Sequence, residues 1–397
     1  MSDIKWQENK MPKTADKNLS IMSIEEVKKA KAFHESFPQY SNTPLAELKE
    51  MSKYLGLGAI KVKDESYRFG LNAFKVLGGS YSMAKYIAQK MGKDVSELPY
   101  DILVSKKLKD EFGQATFFSA TDGNHGRGVA WAANKLGQKC VIFMPKGTSE
   151  IRLNNILKEG AMATIEKYNY DECVRMAADA ASKVKNGVVI QDTAWEGYEE
   201  IPAWIMQGYG TMALESDEQF GEKPTHIFVQ AGVGSLAGAI VGYFSNKYKD
   251  NPPKMIVVEA SAAACLYKGA VAGDGNIRIV DGDLNTIMAG LACGEPNITS
   301  WDILKNHVDC FISAEDIIAS RGMRMLSAPL KGDAQVISGE SGAAPFGALA
   351  TIMLNDEYSE LRKKLDLNSN SKVLLFSTEG DTDPQRWKNI IWEAKNK

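Results

Sequence analysis

The chain has 397 residues, 44% hydrophobic and 24% charged, with 47 Lys+Arg against 50 Asp+Glu and a net charge of −3. That balance excludes a basic nucleic-acid binder, and no apolar run approaches the ~20 residues of a membrane helix. Five cysteines are too few, and odd in number, for a disulfide framework, and the polar N-terminus lacks a signal-peptide core, so a cytoplasmic protein of two or three folding units is expected.

Residues 1 to about 20 lack periodicity and read as an irregular arm. Beyond them, short apolar runs predict strands at 59–63, 116–119, 140–143, 163–166, 188–190, 226–230, 255–259 and 373–376. Longer periodic stretches predict helices at 73–89, 126–136, 149–159, 170–184, 201–215, 235–243, 343–354 and 383–394. Such alternation implies βαβ crossovers and strands buried on both faces. So many strands suggest two open, twisted, mostly parallel sheets flanked by helices, an α/β fold. Residues 262–296, rich in Gly, Ala and Asp, read as one long connection near a site or an interface.

Four turns carry candidate chemistry. Lys75 lies near the start of an apolar helix and is followed by Val76 and Leu77; a desolvated lysine amine is a nucleophile. Taken alone, it reads more readily as a snorkelling lysine. The second turn, Ser119-Ala120-Thr121-Asp122-Gly123-Asn124-His125-Gly126, follows a strand and opens a helix, where small residues let amides approach an anion. Asp122 is odd there, because a carboxylate repels an anion; on its own it reads as an N-cap.

The third turn, Gly232-Val233-Gly234-Ser235, fits a phosphate cup of backbone amides. Its glycines at 232, 234 and 238 are one residue too long for a dinucleotide fingerprint, although Glu259 ends the next strand where such a site would want an acid. The fourth, Ser377-Thr378-Glu379-Gly380-Asp381, offers hydroxyls after the last strand, or a plain cap cluster. Neither the four histidines nor the five cysteines have metal-ligand spacing, so no metal is expected; nucleophile-elbow and P-loop motifs are absent.

In this order, the four turns resemble the fold-type II pyridoxal-phosphate (PLP) enzymes, the tryptophan synthase β and threonine dehydratase group. The narrower likeness, to the diaminopropionate ammonia-lyase family, rests on Arg68-Phe69-Gly70-Leu71-Asn72-Ala73-Phe74-Lys75, Thr121-Asp122-Gly123-Asn124-His125-Gly126-Arg127-Gly128, Gln191-Asp192-Thr193-Ala194-Trp195-Glu196-Gly197-Tyr198, Ser338-Gly339-Glu340-Ser341-Gly342 and Ser377-Thr378-Glu379-Gly380-Asp381-Thr382. The wider group usually has S-x-G-N-H where this chain has Thr121-Asp122-Gly123-Asn124-His125.

The resemblance implies that Lys75 holds PLP as a Schiff base, with Phe74 against the cofactor. It implies Asn124 at the phenolic oxygen, Gly232, Val233, Gly234 and Ser235 at the phosphate, and Ser377 or Thr378 at the ring nitrogen. It implies α,β-elimination of both isomers of 2,3-diaminopropionate to pyruvate and two ammonia. Asp122 would then pair with the β-ammonium and act as a base opposite Lys75, with Asp192 a second acid; Thr121, Gly123 and His125 would line the substrate. The family implies a homodimer, and a large domain of residues 1–85 and 197–397 with a small domain of residues 86–196 closing a cleft over PLP. The nearest competing expectation is a serine/threonine dehydratase, which has no use for Asp122. A nicotinamide oxidoreductase built on Gly232 to Gly238 and Glu259, and a non-catalytic PLP carrier, fit less well. Cys265 and Cys293 are expected as free thiols rather than a staple.

Overall fold

The structure is a computed structural model, and it describes residues 2–121 and 123–396. Its strands are β1 Ile4–Glu8, β2 Leu45–Glu47, β3 Ala59–Asp64, β4 Thr116–Ala120, β5 Lys139–Met144 and β6 Met162–Ile165. They continue with β7 Gly187–Val189, β8 His226–Gln230, β9 Lys254–Ala260, β10 Cys310–Ala314 and β11 Lys372–Ser377.

They form two sheets, as expected: seven strands in the order β1-β10-β9-β8-β11-β3-β2, and four in the order β6-β5-β4-β7. The four-stranded sheet is parallel throughout. The seven-stranded sheet is parallel except at its edges, where β1 and β2 pair antiparallel. Strand β8 is buried along its whole length, as a strand covered on both faces should be.

Close packing divides the chain into two compact units. One comprises Met1–Ile24, Asn42–Tyr67 and Met212–Lys397 and holds the seven-stranded sheet; the other comprises Glu25–Ser41 and Arg68–Thr211 and holds the four-stranded sheet. This division differs from boundaries at 85 and 197. The helix Val76–Lys90 packs on the helix Asn124–Lys135, where a Cβ on Gly79 would lie 3.4 Å from Val129, so residues 68–85 group with the smaller sheet. A glycine contact likewise ties the helix Glu200–Phe220 to them: a Cβ on Gly208 would lie 2.4 Å from the Leu77 carbonyl oxygen.

The N-terminal arm is only partly irregular. Ile4–Glu8 pairs in register with Cys310–Ala314, with Ile4 buried, and its ordering depends on that edge rather than on local periodicity. The 262–296 stretch is not one bare connection either, since it holds the helix Cys265–Ala272 and a short turn at Ala289–Leu291.

Strand order places the candidate turns. In open parallel sheets, ligands bind at strand carboxyl ends where the order of connection reverses. In the four-stranded sheet the chain runs from β4 to β5 and β6 on one side and returns to β7 on the other. The reversal lies beside the C-terminal end of β4, which leads into Thr121–Asn124, and that of β7, which leads into Ile190–Asp192. In the seven-stranded sheet, β8 and β11 are parallel neighbours, so the Gly232 turn and the Ser377–Glu379 turn leave the same edge.

Candidate active site

Lys75 sits immediately before the helix Val76–Lys90, after a turn with left-handed Phe69 (φ 50°), Gly70 (φ 71°) and Asn72 (φ 60°). Two non-glycine residues in that conformation mark a backbone held by its surroundings. Phe69 packs its ring 5.1 Å from Trp131, and Arg127 donates from Nη1 to the Leu71 carbonyl at 3.0 Å. The closest contact is at Gly128: a Cβ there would lie 2.7 Å from Val76 N and 3.0 Å from the Lys75 carbonyl carbon. Only glycine lets the helix Asn124–Lys135 rest on the Lys75 backbone. Phe74 is buried against Tyr209, with ring centroids 4.7 Å apart.

The lysine is not walled in by apolar groups. Its Nζ lies 2.5 Å from Asp192 Oδ2, the lysine side chain 20% exposed and the aspartate 6%. His125 Nδ1 is 3.8 Å from the same oxygen, and its Nε2 is 2.9 Å from the Ile190 carbonyl, so Nε2 carries a proton and donates it there. Burial alone would raise the Asp192 carboxyl, but the Lys75 ammonium and then His125 pull it down to about 2.

Asp192 owes its place to its neighbours. Gln191 Oε1 accepts from Ala120 N at 3.1 Å and Ser119 Oγ at 3.0 Å, and Nε2 donates to the Ala120 carbonyl at 3.2 Å, which fastens the loop to β4. The Tyr198 hydroxyl accepts from Gln191 N and donates to the Val189 carbonyl at 2.9 Å, with Trp195 stacked on the Tyr198 ring. Thr121 Oγ1 accepts from Gly123 N (2.9 Å) and Gly126 N (3.1 Å), so it shapes the helix entry that carries Asn124. Asn124 borders a small opening with Leu71, Ala73, Val76, Arg127 and Gly128. Asp122 lies outside the described residues.

In the other unit, Gly232–Gly234 leads from β8 into the helix Ser235–Tyr248, whose first turn has no acidic residue. Gly234 is left-handed (φ 104°), and a Cβ on it would lie 2.8 Å from Ser300 Oγ; one on Gly232 would lie 3.0 Å from the Gly290 carbonyl. Asn297 holds this cup. Its amide N donates to the Val233 carbonyl at 2.7 Å and its Nδ2 to Ser235 Oγ at 2.8 Å. At the end of β11, Ser377 donates to Ser338 Oγ at 2.8 Å. Thr378 Oγ1 instead accepts from Gln230 Nε2 at 2.7 Å, which leaves the Thr378 proton available to another acceptor.

A glycine-lined cup at a helix N-terminus and a hydroxyl kept as a donor suit a phosphate dianion and a ring nitrogen, and in the other unit a half-buried lysine paired with a carboxylate suits an aldehyde; these are the three groups PLP presents. The nucleotide alternative loses its acid. Glu259 is buried and accepts from Leu266 N at 2.9 Å and Tyr267 N at 2.7 Å, so both carboxylate oxygens cap the helix Cys265–Ala272. Cys265 and Cys293 are both thiols, with the Cys265 sulfur 3.8 Å from the Cys293 carbonyl.

Sequence reasoning picked out Lys75, Asn124, His125 and Asp192, and the fold brings Lys75, His125 and Asp192 together. Gly128, Gln191 and Ser338 lie in the quoted motifs and Gln230 ends a predicted strand, but none was given a role, and Asn297 was not singled out. The repeated glycines in Gly126-Arg127-Gly128 were a visible signal of close approach; the polar side chains left none.

Comparisons with known proteins point to the same cofactor. The profile of the pyridoxal-phosphate dependent enzymes matches residues 37–379. The chain is 50% identical to the diaminopropionate ammonia-lyase of Salmonella typhimurium, over 92% of this chain and 91% of that protein. It is 46% identical to the one from Escherichia coli strain K12, over 95% and 94%. The crystal structure of the Escherichia coli enzyme in complex with D-serine superposes with a TM-score of 0.90 at 43% identity, covering 99% of this chain and 97% of that one. A threonine deaminase from Solanum lycopersicum shares the fold, with a TM-score of 0.71 at 19% identity. With half of its residues identical to a relative along nearly its whole length, and the candidate turns built at strand ends, the chain belongs to the pyridoxal-phosphate dependent enzymes, in the diaminopropionate ammonia-lyase family.

Proposed function

We propose that this chain catalyses the PLP-dependent α,β-elimination of 2,3-diaminopropionate, as the L- and D-isomers, to pyruvate and two molecules of ammonia. Bound PLP supplies an electron sink for the pair left behind when the Cα–H bond breaks. Lys75 would hold the cofactor through its aldehyde carbon, with Phe74 beside it. Asn124 would hydrogen-bond the phenolic oxygen. Gly232, Val233, Gly234 and Ser235 would hold the phosphate, and Thr378, with Ser377 behind it, would meet the ring nitrogen with a neutral hydroxyl.

The observation that carries the reading is the Lys75–Asp192 pair, at 2.5 Å. A buried carboxylate such as Asp192 favours a cation beside it, as its pairing with Lys75 illustrates. A substrate with two ammonium groups brings one; serine and threonine have no second ammonium to offer. Asp192 would therefore hold the substrate ammonium, with His125 at its other side and Thr121 and Gly123 shaping the wall. Lys75 would take or return the proton at Cα on one face. Asp122 would do so on the other, and would pair with the leaving β-ammonium. A serine/threonine dehydratase is the second reading, favoured by the shared fold alone.

The assay is pyruvate release by the purified chain from L- and D-2,3-diaminopropionate, serine and threonine, alongside the absorbance of the bound cofactor. Turnover of both diamino isomers well above serine and threonine is expected, in a yellow protein. In Asp122→Asn, turnover of the D-isomer should fall by about 10²–10⁴-fold, the range for a lost general base, and of the L-isomer by less. Good activity confined to serine or threonine moves the reading to the dehydratase; equal losses on both isomers reject the second base. Among the described residues no helix is long and apolar enough to cross a membrane. We place the enzyme in the cytoplasm as a homodimer, in line with its charge and its family, and sedimentation would test the dimer.

A further inference from the structure

The helix Glu200–Phe220 carries Tyr209, whose phenol has no task in the chemistry above. The side chain is 1% exposed. Its ring packs on Phe74, the residue before Lys75, at 4.7 Å between centroids. Gly78, one turn after Lys75, makes room for it: a Cβ there would lie 2.7 Å from Tyr209 Cε1 and 3.0 Å from Cζ. The hydroxyl-bearing end of the ring is thus drawn onto the first turn of the helix that follows the lysine.

Among the described residues this buried hydroxyl has no hydrogen-bond partner. Such a group costs stability, and phenylalanine would fill the same volume without it. Burial is the main cause that keeps the phenol protonated; Asp192 adds to it and Lys75 opposes it. The phenol is therefore a neutral donor in the field of the Lys75–Asp192 pair.

We propose that Tyr209 is a further ligand-binding residue of this site, its phenol donating a hydrogen bond to an anionic oxygen of the bound ligand. This rests on the function proposed above. Two oxygens share that chemistry, the phenolic oxygen of the cofactor and the carboxylate of the amino acid. Either would complete the hydroxyl with a charge-assisted bond.

The test uses the full chain and Tyr209→Phe. Three quantities are measured: the Tm without cofactor, the Kd for PLP by absorbance titration, and the Kd of the cofactor-loaded protein for D-serine, a ligand of the Escherichia coli relative. The expected result is a Tm equal to or above that of the wild type, with one Kd raised roughly 10- to 100-fold, the range for a hydrogen bond to a charged group. A rise in the PLP Kd assigns the cofactor oxygen, and a rise in the D-serine Kd assigns the carboxylate. Both constants within twofold of wild type would overturn the proposal. So would a Tm several degrees lower, since the hydroxyl would then have a partner in the protein itself. Wild-type protein that takes up no PLP overturns the proposed function together with this one, whereas wild-type binding matched by the variant sinks this one alone.

Discussion

The candidate groups of the two units are built from opposite materials. Beside the four-stranded sheet, Lys75, Asp192 and His125 form a cluster of titratable groups, with Asp192 side chain only 6% exposed. At the edge of the seven-stranded sheet, the Gly232–Ser235 cup and Thr378 work through amides, hydroxyls and a primary amide, with no charge in the helix's first turn. The first arrangement can move protons, because its groups change charge near one another. The second can hold an anion and a ring nitrogen without changing charge at all. An elimination enzyme needs both, and here each is confined to its own unit.

The largest expected effect comes from removing the centre of the charged cluster. Lys75→Ala should abolish turnover and the yellow absorbance, since it removes the amine that sits on Asp192. Retained turnover would break the contrast, because catalysis would then not depend on the charged cluster.

Two glycines sharpen it at smaller magnitude. Gly128→Ala would press a methyl onto the backbone of Lys75 and Val76, while Gly342→Ala would press one to within 2.9 Å of Thr378 N and 2.8 Å of Ser338 Oγ. Overpacking of this kind costs typically about 1–3 kcal/mol. In the first variant the loss should appear mainly in kcat, since the amine moves relative to Asp192. In the second it should appear mainly as a weaker Kd for PLP, since the ring-nitrogen hydroxyl moves. The same kcat and Kd pattern in both would show that the two units do not divide the work.

The smallest effect is a pH dependence. Asp192 is depressed from 3.8 to about 2 in the folded chain. A carboxyl whose pKa is lowered by folding contributes stability that is present above its unfolded pKa and lost as pH falls through its folded one. Without cofactor, stability should thus lose this contribution between about pH 4 and 2, and Asp192→Asn should lack that part of the acid slope. Thermal denaturation across that range checks it; an unchanged slope would mean the carboxylate is not held by Lys75.

Some of this was legible in the sequence because it depends on local pattern. Short apolar runs announce strands buried on both faces, so β8 and β11 were found nearly to the residue. Glycines and small polar residues at strand ends announce ligand turns, and this exposed Lys75, Asn124 and Gly232–Ser235 together. Their order along the chain was enough to point to the family. Ile4–Glu8 was not legible, since five residues with one buried side chain have no periodic signal and become a strand only against Cys310–Ala314.

Tertiary structure alone decided the partners. Lys75 and Asp192 are 117 positions apart, and nothing in either segment specifies the other; they meet because the helix after β4 rests on the Lys75 backbone and β7, which leads into Asp192, is the parallel neighbour of β4. The same is true of Ser377 and Thr378, equivalent as adjacent letters. Ser377 donates its hydrogen bond to Ser338, whereas Thr378 accepts one from Gln230 and keeps its own O–H to donate, a difference that exists only once β8 and β11 lie side by side. Composition and pattern therefore determined which chemistry this chain carries. Which groups pair, and which proton each holds, was set by strand order and close approach, because hydrogen bonds and ion pairs act over a few ångströms of space and take no account of separation along the chain.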